Sequence, residues 1–423
     1  MGRSVAVIGA GWAGLAAAVE CAATGALVTL FEMAPLAGGR ARDVAASDAG
    51  LDNGQHICIG AYSETLRLLA QVGVAESRAF LRLPLLLVDA QGLGLRLPAG
   101  APTPAFARAV LGRRGWSWRE RLSLLRAAFG WRRSGFVCAP SATVADLVAG
   151  LPDRVRREFI EPLCVAALNT PAEAASGAVF LRVLHDALAS GEGASDLLLP
   201  RLGLGSLLPV PALAWLRAAG ASVRLACRVE RIDTADAAWR VDGTRFDAVI
   251  VAASEREAAR LVEPHEPVWA GRTSALRYEP IVTVYATSAG SRLPEALLLL
   301  HADAGRPAQF VFDRGQLGGP SGLLAFVISG AAAWVERGLV ATETAVLAQA
   351  RTDLAAHLRG PLEPLRTIVE KRATFRCMPL LDRPPMRIAH GLVAAGDYIE
   401  GPYPATLEGA VRSGIAAARA LPP

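Results

Sequence analysis

Ser4–Ile8 (SVAVI) is a run of β-branched and apolar residues after its opening serine, the pattern of a strand at the centre of a parallel sheet. An alanine-rich helical stretch follows over Leu15–Ala23, and a second apolar run, Leu27–Phe31, ends at Glu32. Strand, helix and strand in this order predict a βαβ unit. Later in the chain the pattern predicts a helix over Leu208–Ala219 and strands over Ala221–Leu225, Cys227–Ile232, Trp239–Val241 and Phe246–Ala252. Leu392–Ala395 reads as a last short strand and Ala405–Ala420 as a last helix. The middle carries longer apolar blocks, Leu81–Val88, Phe159–Leu168 and Val179–Leu188.

Gly9-Ala10-Gly11-Trp12-Ala13-Gly14 lies between the first strand and helix. In that position Gly9 permits the tight turn, Gly11 lets backbone approach a pyrophosphate, and Gly14 allows close helix–strand packing. The helix start then offers unpaired N–H groups and its dipole to phosphate. Glu32, 18 residues after Gly14, is placed to accept hydrogen bonds from an adenosine ribose. Strand before, helix after and acid at the end of the next strand make this a dinucleotide site rather than an ordinary glycine turn.

Of the 423 residues 52% are hydrophobic and 20% charged, which excludes a disordered chain and raises the question of a membrane protein. The longest uncharged stretch, Gly315–Val335, is interrupted by glycines and Pro320, and its apolar core is only Leu323–Ile328. It reads as a buried strand, so no spanning segment is expected. The apolar start resembles a short signal sequence, but its glycine spacing fits the nucleotide turn better. Six dispersed cysteines without a Cys-x-x-Cys fit buried thiols in a reducing cytoplasm, and the scattered histidines indicate no metal site. The net charge of +5 does not call for nucleic acid.

Arg108–Arg133 concentrates that charge, with eight arginines (108, 113, 114, 119, 121, 126, 132, 133) against one acid, Glu120. Trp116, Trp118 and Trp131 are interleaved, and Trp118, Leu122, Leu125 and Phe129 share one helical stripe. A basic amphipathic helix with tryptophans fits peripheral contact with an anionic membrane surface. It predicts a cytoplasmic protein resting on the inner face of the cytoplasmic membrane.

Gly38-Gly39-Arg40 and the loop Asp52-Asn53-Gly54-Gln55-His56 follow Glu32 where a nicotinamide domain would simply continue. This order resembles the flavoprotein superfamily of amine oxidases and phytoene desaturases. The resemblance implies an α/β fold, a Rossmann-like FAD-binding domain with an inserted mixed α+β substrate domain. It divides the chain into 1–77, 200–255 and 375–423 for FAD, and 78–199 and 256–374 for substrate. The implied FAD contacts are Gly9, Gly11, Trp12, Ala13, Gly14, Glu32 and Met33, then Gly39 and Arg40 at the pyrophosphate. Asn53, Gly54, Gln55 and His56 would reach the isoalloxazine, and Val229 the adenine end. Gly396 and Asp397 would meet the ribityl–phosphate region, and Pro404, Ala405 and Thr406 the isoalloxazine at a helix start.

Leu51–Gly60 with Ala61-Tyr62-Ser63-Glu64-Thr65, Glu161–Pro171 (EPLCVAALNTP) and Pro404–Gly414 together resemble the hydroxysqualene dehydroxylases. These are squalene-associated FAD-dependent desaturase relatives from bacterial hopanoid pathways. The chain departs from them at Glu400-Gly401-Pro402-Tyr403. The resemblance implies removal of the allylic hydroxyl of hydroxysqualene to give squalene at the expense of reduced FAD, and contact with other squalene-pathway enzymes. His56, Glu161 and Tyr403 are the expected proton donors, and the apolar middle would hold a long hydrocarbon. Two other readings stand beside it: an oxidative carotenoid-type desaturase or amine oxidase, and a non-catalytic flavin protein that presents lipid intermediates.

Overall fold

The first βαβ unit forms where its residue pattern places it. In the computed structural model, which describes residues 2–44, 50–236 and 238–421, strand β1 is Ser4–Ile8, helix α1 is Trp12–Ala23 and strand β2 is Leu27–Phe31. Helix α1 starts at Trp12 rather than Leu15 because the last glycine of the turn already belongs to its first turn. Met1, 45–49, 237 and 422–423, within the segments expected to bind FAD, lie outside the described residues.

The chain returns to this unit twice. Strands β3 (Ser222–Arg224) and β4 (Ala248–Val251) come from the middle of the sequence. The order along the sheet is completed by β10 (Arg387–Ala389) and β11 (Leu392–Ala394). The sheet reads β10-β11-β4-β1-β2-β3, parallel except at the β10 edge. Side chains alternate across β1, as the two-residue period of a strand requires. Val5 and Val7 pack in one cluster with α1 and the last helix, while Ala6 and Ile8 join the larger core on the opposite face.

A second sheet is antiparallel and is built from residues 278–375. Its strands are β5 (Tyr278–Thr287), β6 (Leu297–Leu299), β7 (Phe310–Asp313), β8 (Leu323–Ile328) and β9 (Glu363–Phe375), in the order β6-β7-β8-β5-β9. Strand β8, the apolar run of the longest uncharged stretch, is buried at every position.

Outside the sheets, helix α2 (Trp118–Arg133) carries the basic segment, α3 (Glu161–Leu168) the EPLCVAAL stretch, and α4 (Leu407–Arg419) closes the chain against α1. Among the described residues no helix is long and apolar enough to cross a membrane.

Several elements differ from the sequence pattern, each for a local reason. Residues 227–231 do not form a strand, which starts only at Ile232. Their backbone groups are taken elsewhere: Cys227 N–H donates to the Glu32 carbonyl at 2.8 Å, Arg231 N–H to Asp242 at 2.9 Å, and Val229 O accepts from Arg260 at 2.7 Å. The helix expected over 208–219 forms as Pro209–Ala218, opened by Pro209, and a separate short helix, Leu204–Leu207, precedes it. Pro84 similarly separates Leu81–Val88 into strands Phe80–Leu83 and Leu86–Val88. The last helix begins at Leu407 because Ala405 adopts a left-handed backbone (φ +56°) and Thr406 caps α4, its Oγ1 accepting from Gly409 N–H at 2.9 Å.

Candidate flavin site

The glycines of the first turn are bound to their positions by sterics. Gly9 has φ +107°, and a Cβ there would stand 2.5 Å from the Ala252 carbonyl oxygen. A Cβ on Gly14 would meet the Gly9 carbonyl oxygen at 1.8 Å, so this residue serves close packing. Gly11 differs, since a Cβ there would meet only Gly39 Cα, at 3.9 Å. The two glycine turns therefore face each other, joined by Gly38 N–H donating to the Ala10 carbonyl at 2.8 Å. Between them and the start of α1 the backbone lies open to a pyrophosphate.

Glu32 is buried, and its carboxylate already holds this turn: one oxygen accepts from Ala10 N–H at 2.7 Å, the other from Ala34 N–H at 2.8 Å. Glu32 also lines the cavity. Arg40 ties three segments together. Its guanidinium pairs with Asp397 and donates to the Ala373 carbonyl at 2.8 Å, joining the second turn to β9 and to the C-terminal loop. Burial works against this cation, but the Asp397 carboxylate beside it raises its pKa, so it stays charged.

These groups line one cavity of about 690 Å³. Every residue expected to contact FAD lines it except Gly14, which packs behind it, and Pro404, which is buried outside it. The nucleotide end carries Gly11, Glu32, Met33 and Val229. The far end is walled by Ile281 and Thr283 of β5, Phe310 and Phe312 of β7, Val327 of β8 and Ile368 of β9. Thr406 presents the N-terminus of α4 to this cavity. Glycine-lined backbone, two helix starts and a buried ribose acid in one elongated cavity fit a dinucleotide with a flavin.

The three expected proton donors separate. His56 lines the cavity. Burial, helped by the charge of Arg40, lowers its pKa to about 4, so the ring is neutral near pH 7; its Nδ1 lies 3.3 Å from the Gly54 carbonyl oxygen. Glu161 opens α3 but does not line the cavity, because Ala166 and Ala167 of that helix turn towards it instead. Tyr403 also lies outside, its ring between the guanidinium groups of Arg182 and Arg412 and its hydroxyl accepting from Arg182 at 3.2 Å.

Other groups were not singled out from the sequence. Glu370 lines the cavity from β9 and accepts from Asn53 Nδ2 at 2.9 Å. Asn169, buried with a left-handed backbone, clamps three elements: Nδ2 donates to Thr374 Oγ1 at 2.9 Å and the Glu279 carbonyl at 3.2 Å, and Oδ1 accepts from Gly330 N–H at 2.7 Å. It stands in the EPLCVAALNTP stretch, whose Asn was visible but whose partners were not. Tyr62 lines the cavity as well, and burial raises its pKa.

The model of flavin containing amine oxidoreductases matches residues 12–422. The chain belongs to that family. It is an FAD-dependent oxidoreductase. It is similar to hydroxysqualene dehydroxylases of Rhodopseudomonas palustris, 27% identical over 99% of this chain and 98% of the relative, and of Sinorhizobium fredii, 28% identical with the same coverage. An oxidoreductase from Methanosarcina mazei shares the fold, with a TM-score of 0.73 at 16% identity over 98% of this chain and 100% of that one.

Proposed function

We propose that this oxidoreductase removes the allylic hydroxyl of hydroxysqualene to give squalene. The observation that carries the reading is the cavity wall opposite the Asn53–His56 loop, built from Ile281, Phe310, Phe312, Val327 and Ile368. Such a wall suits a hydrocarbon, and the full-length similarity to hydroxysqualene dehydroxylases supports an alcohol-bearing one.

In the overall change the C–O bond breaks, the oxygen gains a proton and leaves as water, and a C–H bond forms. Reduced FAD, when bound, supplies the hydride. The chain's part is to orient the alcohol, exclude bulk water and deliver the proton. His56 and Glu370 are the candidates because they line the cavity; a neutral His56 can relay a proton between its two ring nitrogens. Glu161 and Tyr403 act outside this step.

Helix α2 supports docking on an anionic membrane surface, where such a substrate would dissolve. Trp118, Leu122 and Phe129 are exposed at 64%, 41% and 68%, with exposed Arg119, Arg126, Arg132 and Arg133 on the same helix. Part of the basic segment serves the core instead: Arg113 and Trp116 are buried and both donate to Glu158, at 3.0 and 2.7 Å. Leu125 packs inward, so the expected stripe is exposed at three of its four positions.

Anaerobic single turnover with purified protein, reduced FAD and hydroxysqualene tests the reaction. Squalene should form without an added electron acceptor. No squalene, with FAD demonstrably bound, would overturn the reading, and conversion only with an oxidant would point to a desaturase.

A further inference from the structure

The second glycine turn leads into a cation with which no acid pairs. Among the described residues four arginines line the cavity: Arg40, Arg42, Arg228 and Arg372. Three of them pair with carboxylates that line it too, Arg40 with Asp397, Arg228 with Glu257 at 3.1 Å and Arg372 with Glu255. Arg42 has no carboxylate partner among the described residues. Glu32 and Glu370 complete the acids of the lining, so acids outnumber arginines before any cofactor enters.

The backbone of Arg42 is held between the two loops expected at the flavin. Its carbonyl accepts from Asn53 N–H at 2.9 Å, while the next acid, Asp43, does not line the cavity and accepts from Gly205 N–H at 2.7 Å. The side chain lies against the glycine turn. A Cβ on Gly38 would stand 2.9 Å from Arg42 Cβ, and Arg42 Nη1 donates to the Gly39 carbonyl at 2.5 Å. Gly39 is the residue that faces Gly11, where the backbone is open to a pyrophosphate. Arg42 is exposed, so a ligand in the cavity can reach it, and the bond to Gly39 occupies only one of the N–H donors of the guanidinium.

We propose that Arg42 is the cation that binds the FAD pyrophosphate, a role distinct from that of Arg40. The resemblance to other flavoproteins assigns Arg40 to the pyrophosphate and leaves Arg42 out. Yet the charge of Arg40 is already balanced by Asp397, and its donors tie β9 to the C-terminal loop. A pyrophosphate adds negative charge to a lining whose acids are already in excess. Arg42 supplies the missing charge without breaking an ion pair, and its planar fork of donors matches two phosphate oxygens. The inference concerns the cofactor and holds for any substrate of the cavity.

The test is titration of FAD into the FAD-free full-length protein, followed by quenching of flavin fluorescence, in wild type, Arg42→Gln and Arg42→Lys. Arg42→Gln should weaken FAD binding at least about tenfold, with Arg42→Lys recovering part of the loss. The gap between wild type and Arg42→Gln should narrow as salt is raised, because salt screens an exposed charge. Melting temperatures of the three FAD-free proteins should agree, since the side chain makes one hydrogen bond in the fold. Unchanged FAD affinity in Arg42→Gln would overturn the assignment, as would equal losses in Gln and Lys or a loss independent of salt. A lowered melting temperature of the FAD-free Arg42→Gln protein would assign the residue to the fold and overturn it as well.

Discussion

Glu408 grips Thr65 through one carboxylate oxygen, which accepts from the Thr65 backbone N–H at 2.9 Å and from its hydroxyl at 2.7 Å. Glu408 is 0% exposed; its other oxygen accepts from Glu64 N–H at 3.1 Å and Arg412 Nε at 2.6 Å. Helix α4 thus caps the helix Ser63–Gln71, whose own N-cap residue, Tyr62, provides no side-chain acceptor. Glu408→Gln should cost about 3 kcal/mol of stability and Thr65→Val about 1 kcal/mol, measured by urea denaturation. Tyr62 and Thr406 beside this contact line the cavity, so Glu408→Gln should also release FAD faster.

The glycines of the first turn should separate into two classes. Gly11→Ala has room for its Cβ in the protein and should leave stability within about 0.5 kcal/mol of wild type, yet the methyl projects where a pyrophosphate approaches. FAD affinity should fall at least about tenfold. Gly14→Ala drives its Cβ into the Gly9 carbonyl and should lower stability by about 2 kcal/mol or more. Thermal melts and FAD titration of the two variants check the contrast.

Two buried groups should bend the pH dependence of stability in opposite directions. Burial, aided by Asp43, pushes the Asp52 carboxyl up to about 7 from 3.8, so its contribution falls as pH rises between about 4 and 7. His56 is lowered to about 4 from 6.5, so its contribution is lost as pH falls through the same window. The difference in melting temperature between Asp52→Asn and wild type should therefore rise with pH between about 4 and 7. For His56→Gln that difference should fall. Parallel slopes for the two variants would contradict these environments.

Membrane docking by α2 should depend on both halves of its surface. Sedimentation with phosphatidylglycerol vesicles at low salt should be reduced by replacing Trp118 and Phe129 with Ser, and by replacing Arg126, Arg132 and Arg133 with Gln. Each arginine near the surface is worth about 1 kcal/mol, so the triple change should reduce partitioning by about a hundredfold. Vesicles of phosphatidylcholine should bind weakly in every case.

The nucleotide turn was legible because its requirements are local. Gly9, Gly14 and Glu32 sit within one βαβ unit, and their spacing alone reports the turn, the packing and the acid. The loop Asn53–His56 and the pair Gly396-Asp397 were legible through resemblance to other flavoproteins. Glu161 and Tyr403 were not, because residue type and neighbourhood in sequence say nothing about which way a side chain faces. Tyr403 ends between two guanidinium groups, and the turn of α3 places alanines at the cavity. Glu370 and Thr283 gave no local signal at all. Their place in the cavity is set by strand register, Thr283 beside Ile368 and Ile281 beside Glu370, across segments far apart in the chain.

The central sheet has a kinetic consequence. Ser4 finds its partner on β2 at Leu27, but Val5 must also pair with Ala248, and Val249 in turn with Leu392. Contacts closed over such separations carry a large loop entropy and form late in folding. The cradle is finished by α4, where Gly414 lies so near Ala13 that a Cβ would stand 2.1 Å from its carbonyl oxygen. FAD held as proposed, between residues of all three segments that line the cavity, would bind only the closed arrangement and so raise its population by mass action. Refolding yield should accordingly follow the concentration of free FAD, with the cofactor serving as the clasp that keeps a slowly assembled sheet from reopening.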